Sequence, residues 1–505
     1  MHRGKKQVDR LGIIAAPQWI ARQSMSAPTS SSTRPVVSGR ALCVDLDGTL
    51  LNSDILYESV LALLARNPLY LFLLPLWLLR GKAALKRELA SRVVLPAETL
   101  PYNHQVLELL RTTTQRPRVL CTASDALLVK PIADHLGLFE EVIASDGKRN
   151  LSGRNKADVL VDAFGQGNFD YAGNGSVDLH VWEKAGGAWV VNNGAALAKA
   201  AAQRTTVHAH WPAPPRARAW LKALRLHQWL KNLLVFVPLL TAHRFLDLES
   251  VVQSTIALVA FGLCASGVYV LNDLLDLTPD RQHPRKRKRP FAAGRLPLLQ
   301  GLLVAPALTV AGLLLSLACS IEFTLVLLAY YIMTLAYSLR LKRIVMIDVV
   351  LLAALYTVRI IGGAVAIGVE LSFWLLAFSM FMFLSLALLK RYTELHAMLS
   401  SGKTRASGRA YSVEDLSLLQ SMGAAAGYIA VMVMALYINS PESVELYRNP
   451  KLLWLVCPVL LYWVSRVWII AHRGEMHDDP IVFAATDRVS QIVVVLCGLF
   501  ALSAI

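Results

Sequence analysis

From about residue 227 onward, apolar runs of roughly 17 to 25 residues follow one another, each long enough to cross a bilayer as a helix. Nothing else in the chain constrains the fold as strongly. In hydrocarbon the backbone must satisfy its own hydrogen bonds, so runs of this kind are buried as a helical bundle. Nine spans are expected, at 227–243, 251–272, 297–317, 323–340, 347–368, 371–390, 420–438, 451–471 and 489–505. With 55% hydrophobic and 17% charged residues in a chain of 505, the composition is that of a polytopic membrane protein. Residues 41–200 depart from it by mixing charged and apolar positions, which predicts a separate water-facing domain ahead of the membrane part.

The net charge of +16 is concentrated in alternate loops. One side of the predicted bundle carries Arg281 to Arg295, then Arg340, Lys342 and Arg343, then Lys390 to Arg409, then Arg473 and Arg488. The other side has little beyond Arg244, Arg448 and Lys451. The rich side is therefore expected to be cytoplasmic, in the cell (inner) membrane, with the water-facing domain on the same side. Charge distributed in this way marks topology, and no nucleic-acid partner is expected. The cysteines (Cys43, Cys121, Cys264, Cys319, Cys457, Cys497) are scattered without a CxxC pair, so neither a disulfide framework nor a zinc site is expected. Residues 1–40 are basic and rich in Ser and Pro, and read as a disordered tail in which Met25 is an alternative start.

"RALCVDLDGTLLNSD" places a short apolar strand, Ala41 to Val44, directly before Asp45 and Asp47. Both carboxylates then lie in the turn at the strand's carboxyl end, where open α/β sheets bind ligands. Two acids at that spacing suit phosphoryl transfer, Asp45 as nucleophile and magnesium ligand and Asp47 as general acid/base. The string DLDGTL resembles motif I of the haloacid dehalogenase (HAD) superfamily, which implies an α/β Rossmann-type domain with a helical cap. The same resemblance makes Thr122 in "RVLCTAS" a phosphoryl-oxygen donor and Lys156 in "RNKADVL" a charge neutraliser. It assigns Asp45, Asp47 and Asp178 to Mg²⁺. In "FDYAGNGSVDLHVW" the aspartate expected after the glycine is Asn174, one charge fewer for a hard cation. Two alternatives stay open, a working phosphatase and a degenerate scaffold.

The expected domains are 41–205 (HAD-like, cap about 55–110), a linker or interfacial helix at 206–226, and a membrane domain at 227–505. Within the cap, "PLYLFLLPLWLLRGKAALKREL" is too short in its apolar part, Leu69 to Leu79, to span a bilayer. Continued by Arg80, Lys82, Lys86 and Arg87, it reads either as an interfacial helix or as ordinary cap core.

In "VLNDLLDLTPDRQHPRKRKRP", residues 270–290, Asp273, Asp276 and Asp280 recur at i, i+3, i+7 and would share one face of a helix that Pro279 ends. Three carboxylates so close repel one another at a membrane edge, and a divalent cation would relieve them; the alternative is that they merely pair with the arginines that follow, in the run Arg281 to Arg289. Magnesium would keep positions open for phosphate oxygens. With Asn272 the motif NDxxDxxxD resembles that of the UbiA superfamily of intramembrane prenyltransferases. That resemblance implies nine helices, with Asp273 and Asp276 catalytic, Asp273, Asp276 and Asp280 as Mg²⁺ ligands, and Asn272 at the substrate pyrophosphate.

A second aspartate-rich motif, expected of aromatic prenyltransferases, is replaced by "YSLRLKRIVMIDVVLLAALYTVRIIGGAVA", where Asp348 stands alone among Tyr337, Lys342 and Arg359. Together with "LRLHQWLKNLLVFVPLL", "PDRQHPRKRKRPFAAG" and "LLKRYTEL", this is similar to the decaprenyl-phosphate phosphoribosyltransferase subgroup, in which the lipid is the acceptor and pyrophosphate leaves from phosphoribosyl pyrophosphate (PRPP). Lys231, Arg287, Lys342, Arg359 and Lys390 are candidate cationic donors for further phosphates, with Tyr337 and Asp348 beside them at the substrate. Arg359 lies inside a span, where an arginine is functional by default. Its alternative is a structural pair with Asp348. Glu475, Asp478, Asp479 and Asp487 line the last basic-side loop, as a second metal or ribose site or as a solvated loop.

The expected function is Mg²⁺-dependent transfer of 5-phosphoribose from PRPP to a polyprenyl phosphate, with the HAD domain as a phosphatase on the product. Two other readings compete. One is an isoprenoid transferase using prenyl pyrophosphate and an aromatic acceptor, and the other is a membrane scaffold or transporter with a degenerate HAD domain.

Overall fold

The computed structural model describes residues 39–399, 411–476 and 479–505. The expected tail, apart from Gly39 and Arg40, lies outside the described residues, as do Lys403, Arg405, Arg409 and Asp478.

The water-facing domain is built on six strands, β1 (Ala41–Val44), β2 (Arg118–Asp125), β3 (Glu141–Ser145), β4 (Phe169–Gly173), β5 (Gly187–Asn193) and β6 (Thr206–Pro212). They are parallel throughout, in the order β3-β2-β1-β4-β5-β6. The apolar run of β1 is buried along its whole length, as a central parallel strand covered on both faces requires. Because the chain adds strands first on one side of β1 and then on the other, a crevice opens at the carboxyl ends of β1 and β4. Asp45 and Asp47 follow the first of these strands, and Asn174 and Asp178 the second. Gly48 makes the meeting of these loops possible. Its φ is +74°, and a Cβ there would come within 2.0 Å of the Asn174 amide nitrogen.

The sheet extends past the boundary expected at residue 205. Thr206–Pro212 pairs with β5, an edge strand hidden in the sequence by its polar alternation of Thr, His and His. Between β1 and β2 the cap region is helical, starting with α1 (Ile55–Arg66), whose N-cap Asp54 accepts from Leu56 N–H. Helix α2 (Arg154–Phe164) carries Lys156 behind β1.

The chain then enters a helical bundle. Among the described residues, α3 (Leu248–Leu275) is the first helix long and apolar enough to cross a membrane, and the short α4 (Leu277–Gln282) follows it. Further spans are α5 (Leu298–Ser316), α6 (Ile321–Leu339), α7 (Ile347–Ala366), α8 (Phe373–Leu399), α9 (Val413–Ile438) and α10 (Pro450–His472). These make seven, or eight if α11 (Pro480–Thr486) and α12 (Arg488–Ala504), bent at 78°, are one broken span.

The expected nine is not reached. Residues 226–236 form a 3₁₀ stretch, and a helix of five residues, Val237–Thr241, follows. The run "HQWLKNLL" is apolar enough to pass for a span, but Lys231 and Asn232 in it are buried and claim partners inside the protein.

The two halves meet through α1. Leu61 is enclosed with Val270, Leu274, Leu277 and Phe291 of the bundle and Ala223 of helix Ala217–Leu224. Glu58 takes both guanidinium nitrogens of Arg281, and Arg281 Nε donates to the Ala292 carbonyl. At Gly294, φ +66°, a side chain would strike the Asn52 carbonyl at 2.7 Å. The α/β domain is thus seated on the basic end of the bundle.

Candidate functional site

Helix α3 stops at Asp276, whose N–H closes on the Asn272 carbonyl at 2.9 Å with φ −96° and ψ 18°. The break precedes Pro279, which sits inside α4 where a missing N–H is tolerated. The three acids therefore do not share one continuous helix face. They are gathered by cations. Arg225 and Arg289 both address Oδ1 of Asp273, the latter at 3.2 Å, and Arg289 also reaches Asp280 at 2.6 Å. Lys342 lies 3.7 Å from Asp276, whose side chain is 40% exposed while those of Asp273 and Asp280 are buried.

The like-charge repulsion expected between the carboxylates is relieved by arginines, and among the described residues no three His, Cys, Asp or Glu groups are close enough to hold a metal ion. The expected three-carboxylate metal clamp is therefore not assembled among the described residues as they stand. What remains suits a cation that arrives with a polyphosphate, since magnesium needs only one or two carboxylates when phosphate oxygens supply the rest.

Asn272 donates to Ser338 Oγ at 2.9 Å, tying α3 to α6. Arg287 stands exposed on the 3₁₀ turn Lys286–Lys288. Lys286, Arg287 and Lys288 all face solvent, and the cations that turn inward from the run are Arg281, onto Glu58, and Arg289.

A second cluster forms around Asp479. Lys231 and Lys390 both donate to its Oδ2, at 2.8 and 2.6 Å. These two ammonium groups hold the Asp479 carboxyl well below the usual range even though burial pushes the other way. Lys231 also lies over the ring of Tyr356, at 5.8 Å, and Arg359 stacks on Tyr356 and Tyr330 at 5.7 and 4.8 Å. Arg359 donates to Asn232 Oδ1 at 2.8 Å, to Tyr330 Oη at 2.9 Å and to the Leu355 carbonyl. The amide nitrogen of Asn232 is buried with no partner among the described residues, a donor left over beside the guanidinium.

Asp348, expected beside the substrate, is paired within the protein. It is fully buried and accepts from Arg391 Nε at 2.7 Å and Tyr411 Oη at 2.6 Å. Arg391 in turn donates to Tyr337 Oη at 2.9 Å and to Glu394 at 2.6 Å. An acid in an apolar span needs an ionic partner, and Arg391, next to Lys390 in sequence, supplies it. Asp348 and Tyr337 thus belong to a lock between α6, α7 and α8, and the alternative Arg359–Asp348 pair is not made.

In the α/β domain, Lys156 Nζ donates to Asp45 Oδ1 and to Tyr171 Oη, both at 2.8 Å, and Tyr171 Oη reaches Asp178 at 3.2 Å. Asp178 also accepts the N–H groups of Asn174 and Gly175. Asp47 accepts from Ile55 N–H at 2.7 Å and from Ser124 Oγ at 2.6 Å, while Thr122 Oγ1 stands at 3.5 Å. Burial pushes the Asp45 carboxyl up to about 7 against the pull of Lys156, and burial with nearby Asp54 pushes Asp47 up to about 6. Burial opposes the charge on Lys156, yet Asp45 and Asp178 raise it above its ordinary value. Both oxygens of Asp47 and of Asp178 have protein donors, and Asp45 accepts from Lys156, so the residues expected to hold Mg²⁺ are each partnered by protein groups.

The basic stretch of the cap is partly drawn into this site. Lys86 donates to the Ala123 carbonyl at 2.6 Å, and Arg87 pairs with Asp125 at 3.1 Å. Leu69, Phe72, Leu76 and Leu79 remain exposed.

Arg225, Arg289, Asn232, Ser124 and Arg391 were not singled out from sequence. Arg225, Arg289, Asn232 and Arg391 nevertheless lie inside the stretches that carry the family resemblance, and for the buried Asn232 and Arg391 a polar side chain within an apolar run is itself a signal.

Residues 233–485 match the model of the UbiA prenyltransferase family. An uncharacterized protein, y4nM, of Sinorhizobium fredii is 38% identical over 457 residues, 89% of this chain and 88% of that one. An alignment of that length extends into both halves of the molecule. Nodulation protein NoeC of Azorhizobium caulinodans is 35% identical over 56% of this chain and 92% of its own. A decaprenyl-phosphate phosphoribosyltransferase of Mycobacterium tuberculosis is 36% identical over 54% of this chain and 89% of its own. With the NDxxD end of α3, the bundle of apolar helices and these likenesses together, the chain belongs to the UbiA prenyltransferase family and is an integral, multi-pass membrane transferase.

Proposed function

We propose that the membrane domain transfers 5-phosphoribose from PRPP to a polyprenyl phosphate, with release of pyrophosphate. The observation that carries this reading is the excess of cations over carboxylates at the basic end of the bundle. Arg225, Arg289, Lys342, Lys231, Lys390 and Arg359 face only Asp273, Asp276, Asp280 and Asp479. A donor with several phosphates and an acceptor that ends in one need that excess. A prenyl pyrophosphate paired with an aromatic acid carries fewer phosphates and needs less of it. Lys231, Lys390 and Arg359, with the spare amide donor of Asn232, would bind phosphate oxygens in exchange for Asp479. Asp276, beside Asp273 and Asp280, would take Mg²⁺ carried on the pyrophosphate, which draws charge off the leaving group. The mycobacterial relative's name supports the same donor and acceptor.

In this reading the basic end faces the cytoplasm at the inner membrane, and the exposed Leu69, Phe72, Leu76 and Leu79 rest on the bilayer surface. The α/β domain is read as a HAD-type phosphatase with Asp45 as nucleophile, Asp47 as acid/base and Lys156 as charge partner. Purified protein supplied with PRPP, polyprenyl phosphate and Mg²⁺ is expected to release pyrophosphate. No release from that mixture, with turnover of prenyl pyrophosphate and an aromatic acid instead, would overturn the transfer reading.

A further inference from the structure

Between the α/β domain and the bundle lies a cavity of about 700 Å³ that belongs to neither half alone, a size that suits one small-molecule ligand. Asp47 and Asn174, at the carboxyl ends of β1 and β4, form part of its wall. Arg216, from the segment after β6, and Arg295, from the loop before α5, supply cations. Leu298 and Leu299, the first two residues of the membrane helix α5, complete it. The halves are held in this relation by the enclosed Glu58–Arg281 pair and by the contact of Gly294 with Asn52.

A ligand that fills the cavity touches, at one time, an acid/base carboxylate, two guanidinium groups and the start of a membrane span. A free sugar phosphate would leave the apolar end and one cationic group unused. The geometry points to a lipid-linked sugar phosphate as the substrate of the α/β site: its terminal phosphomonoester against Asp47, its lipid-linking phosphodiester against Arg295 and Arg216, and its apolar chain leaving along Leu298 and Leu299 into the bilayer.

This rests on the phosphatase reading of Asp45 and Asp47 and deepens it by naming the substrate class. The chemistry is hydrolysis. Asp45 is not in the cavity wall, so the step requires the phosphomonoester to pass Asp47; an Asp45 oxygen then forms a bond to phosphorus as the ester oxygen leaves, taking a proton from Asp47. Water, giving its proton back to Asp47, then releases inorganic phosphate and restores Asp45. The net consumption is one water per ester bond, and the lipid-linking diester is untouched. The domain thereby acts on a molecule that stays in the membrane, and the α/β fold need not release itself from the bundle to find it.

The test uses the full chain in detergent and follows inorganic phosphate from two probes: a synthetic short-chain polyprenyl-phosphoryl ribose bearing a free 5-phosphate, and ribose 5-phosphate in water. Wild type is expected to favour the lipid-linked probe. Arg295→Glu, at an exposed position, is expected to lower kcat/KM for that probe by about tenfold or more, chiefly through KM, as loss of a charge-assisted phosphate contact would. Arg295→Lys is expected to keep most of it, and Asp45→Asn to abolish release and so assign the turnover to this site. If wild type hydrolyses ribose 5-phosphate equally well and Arg295→Glu leaves the lipid-linked probe unaffected, the inference is overturned while the phosphatase reading stands. If neither probe releases phosphate, the phosphatase reading fails and takes the inference with it.

Discussion

Arg281 grips Glu58 with both terminal guanidinium nitrogens, at 3.1 and 2.6 Å, and the two side chains are only 5% and 3% exposed. One residue belongs to the bundle and the other to the first helix of the α/β domain. A second donor, Ser53 Oγ, also reaches Glu58, so the carboxylate is paired and hydrogen-bonded, as burial of a charge demands.

Removing one partner leaves the other charged and enclosed. Glu58→Gln is expected to destabilise the junction by about 3 kcal/mol, seen as a lower unfolding temperature in detergent and as proteolytic release of the α/β domain from the bundle.

Asp276 is the partly exposed acid assigned to the metal on the donor in the transfer reading. Asp276→Asn is expected to cut pyrophosphate release roughly a hundredfold or more, in line with loss of an electrostatic element at developing charge, with little change in thermal stability because the side chain is partly exposed. Intact turnover in this variant would show that Asp276 does not hold the metal on the donor.

Chelation offers an independent measurement. Because Asp276 is read as holding Mg²⁺ only together with pyrophosphate, EDTA is expected to stop transfer without lowering the unfolding temperature, and Mg²⁺ added with PRPP to restore it fully. A large drop in unfolding temperature on chelation alone would instead indicate a resident structural metal.

Asp348→Asn is expected to act on folding. It leaves Arg391 without its buried counter-charge, costing about 3 kcal/mol or more. The molecules that remain folded should keep a near-normal KM for PRPP, measured by normalising turnover to the folded fraction.

The Asp479 pair sets a pH expectation. Its folded-state carboxyl is depressed by Lys390 and Lys231 against the effect of burial, so its stabilisation is present above the unfolded value of about 3.9 and is lost only as pH falls through the lower folded value. Asp479→Asn should therefore be less stable than wild type by about 2 kcal/mol at pH 7. The gap should persist to pH ~4.5 and close below that, which unfolding midpoints across a pH series would reveal.

Legibility from sequence followed the range of the interactions involved. Ala41 to Thr49 could be read directly, since a buried strand and the turn after it are set by neighbours in sequence. The acids at 273, 276 and 280 could be read as a cluster for the same reason. Arg289, nine residues from Asp280, stood within the following basic run as an alternative partner, but Arg225 is 48 residues from Asp273, and Arg391 is 43 from Asp348. A charge count sees these arginines only as loop and helix cations. The expected first span failed in the same way, because Lys231 finds Asp479 at 248 residues' distance, and periodicity carries no trace of such a pairing. Strand β6 was missed for the opposite reason, being an edge whose alternation resembles a polar linker.

The first turn of α1 behaves as a ruler. Its Ile55 N–H is fixed on Asp47 and its Glu58, three residues on, is fixed on Arg281, the neighbour of Asp280. An α-helix advances about 1.5 Å and turns about 100° per residue, so inserting or deleting a single residue between 55 and 58 would swing one anchor to the wrong side of the axis. The interval can change in composition but not in length. The spacing between the two acidic centres is therefore a quantity the chain holds constant, and any redesign that grafts a different α/β domain onto this bundle has to reproduce it to the residue.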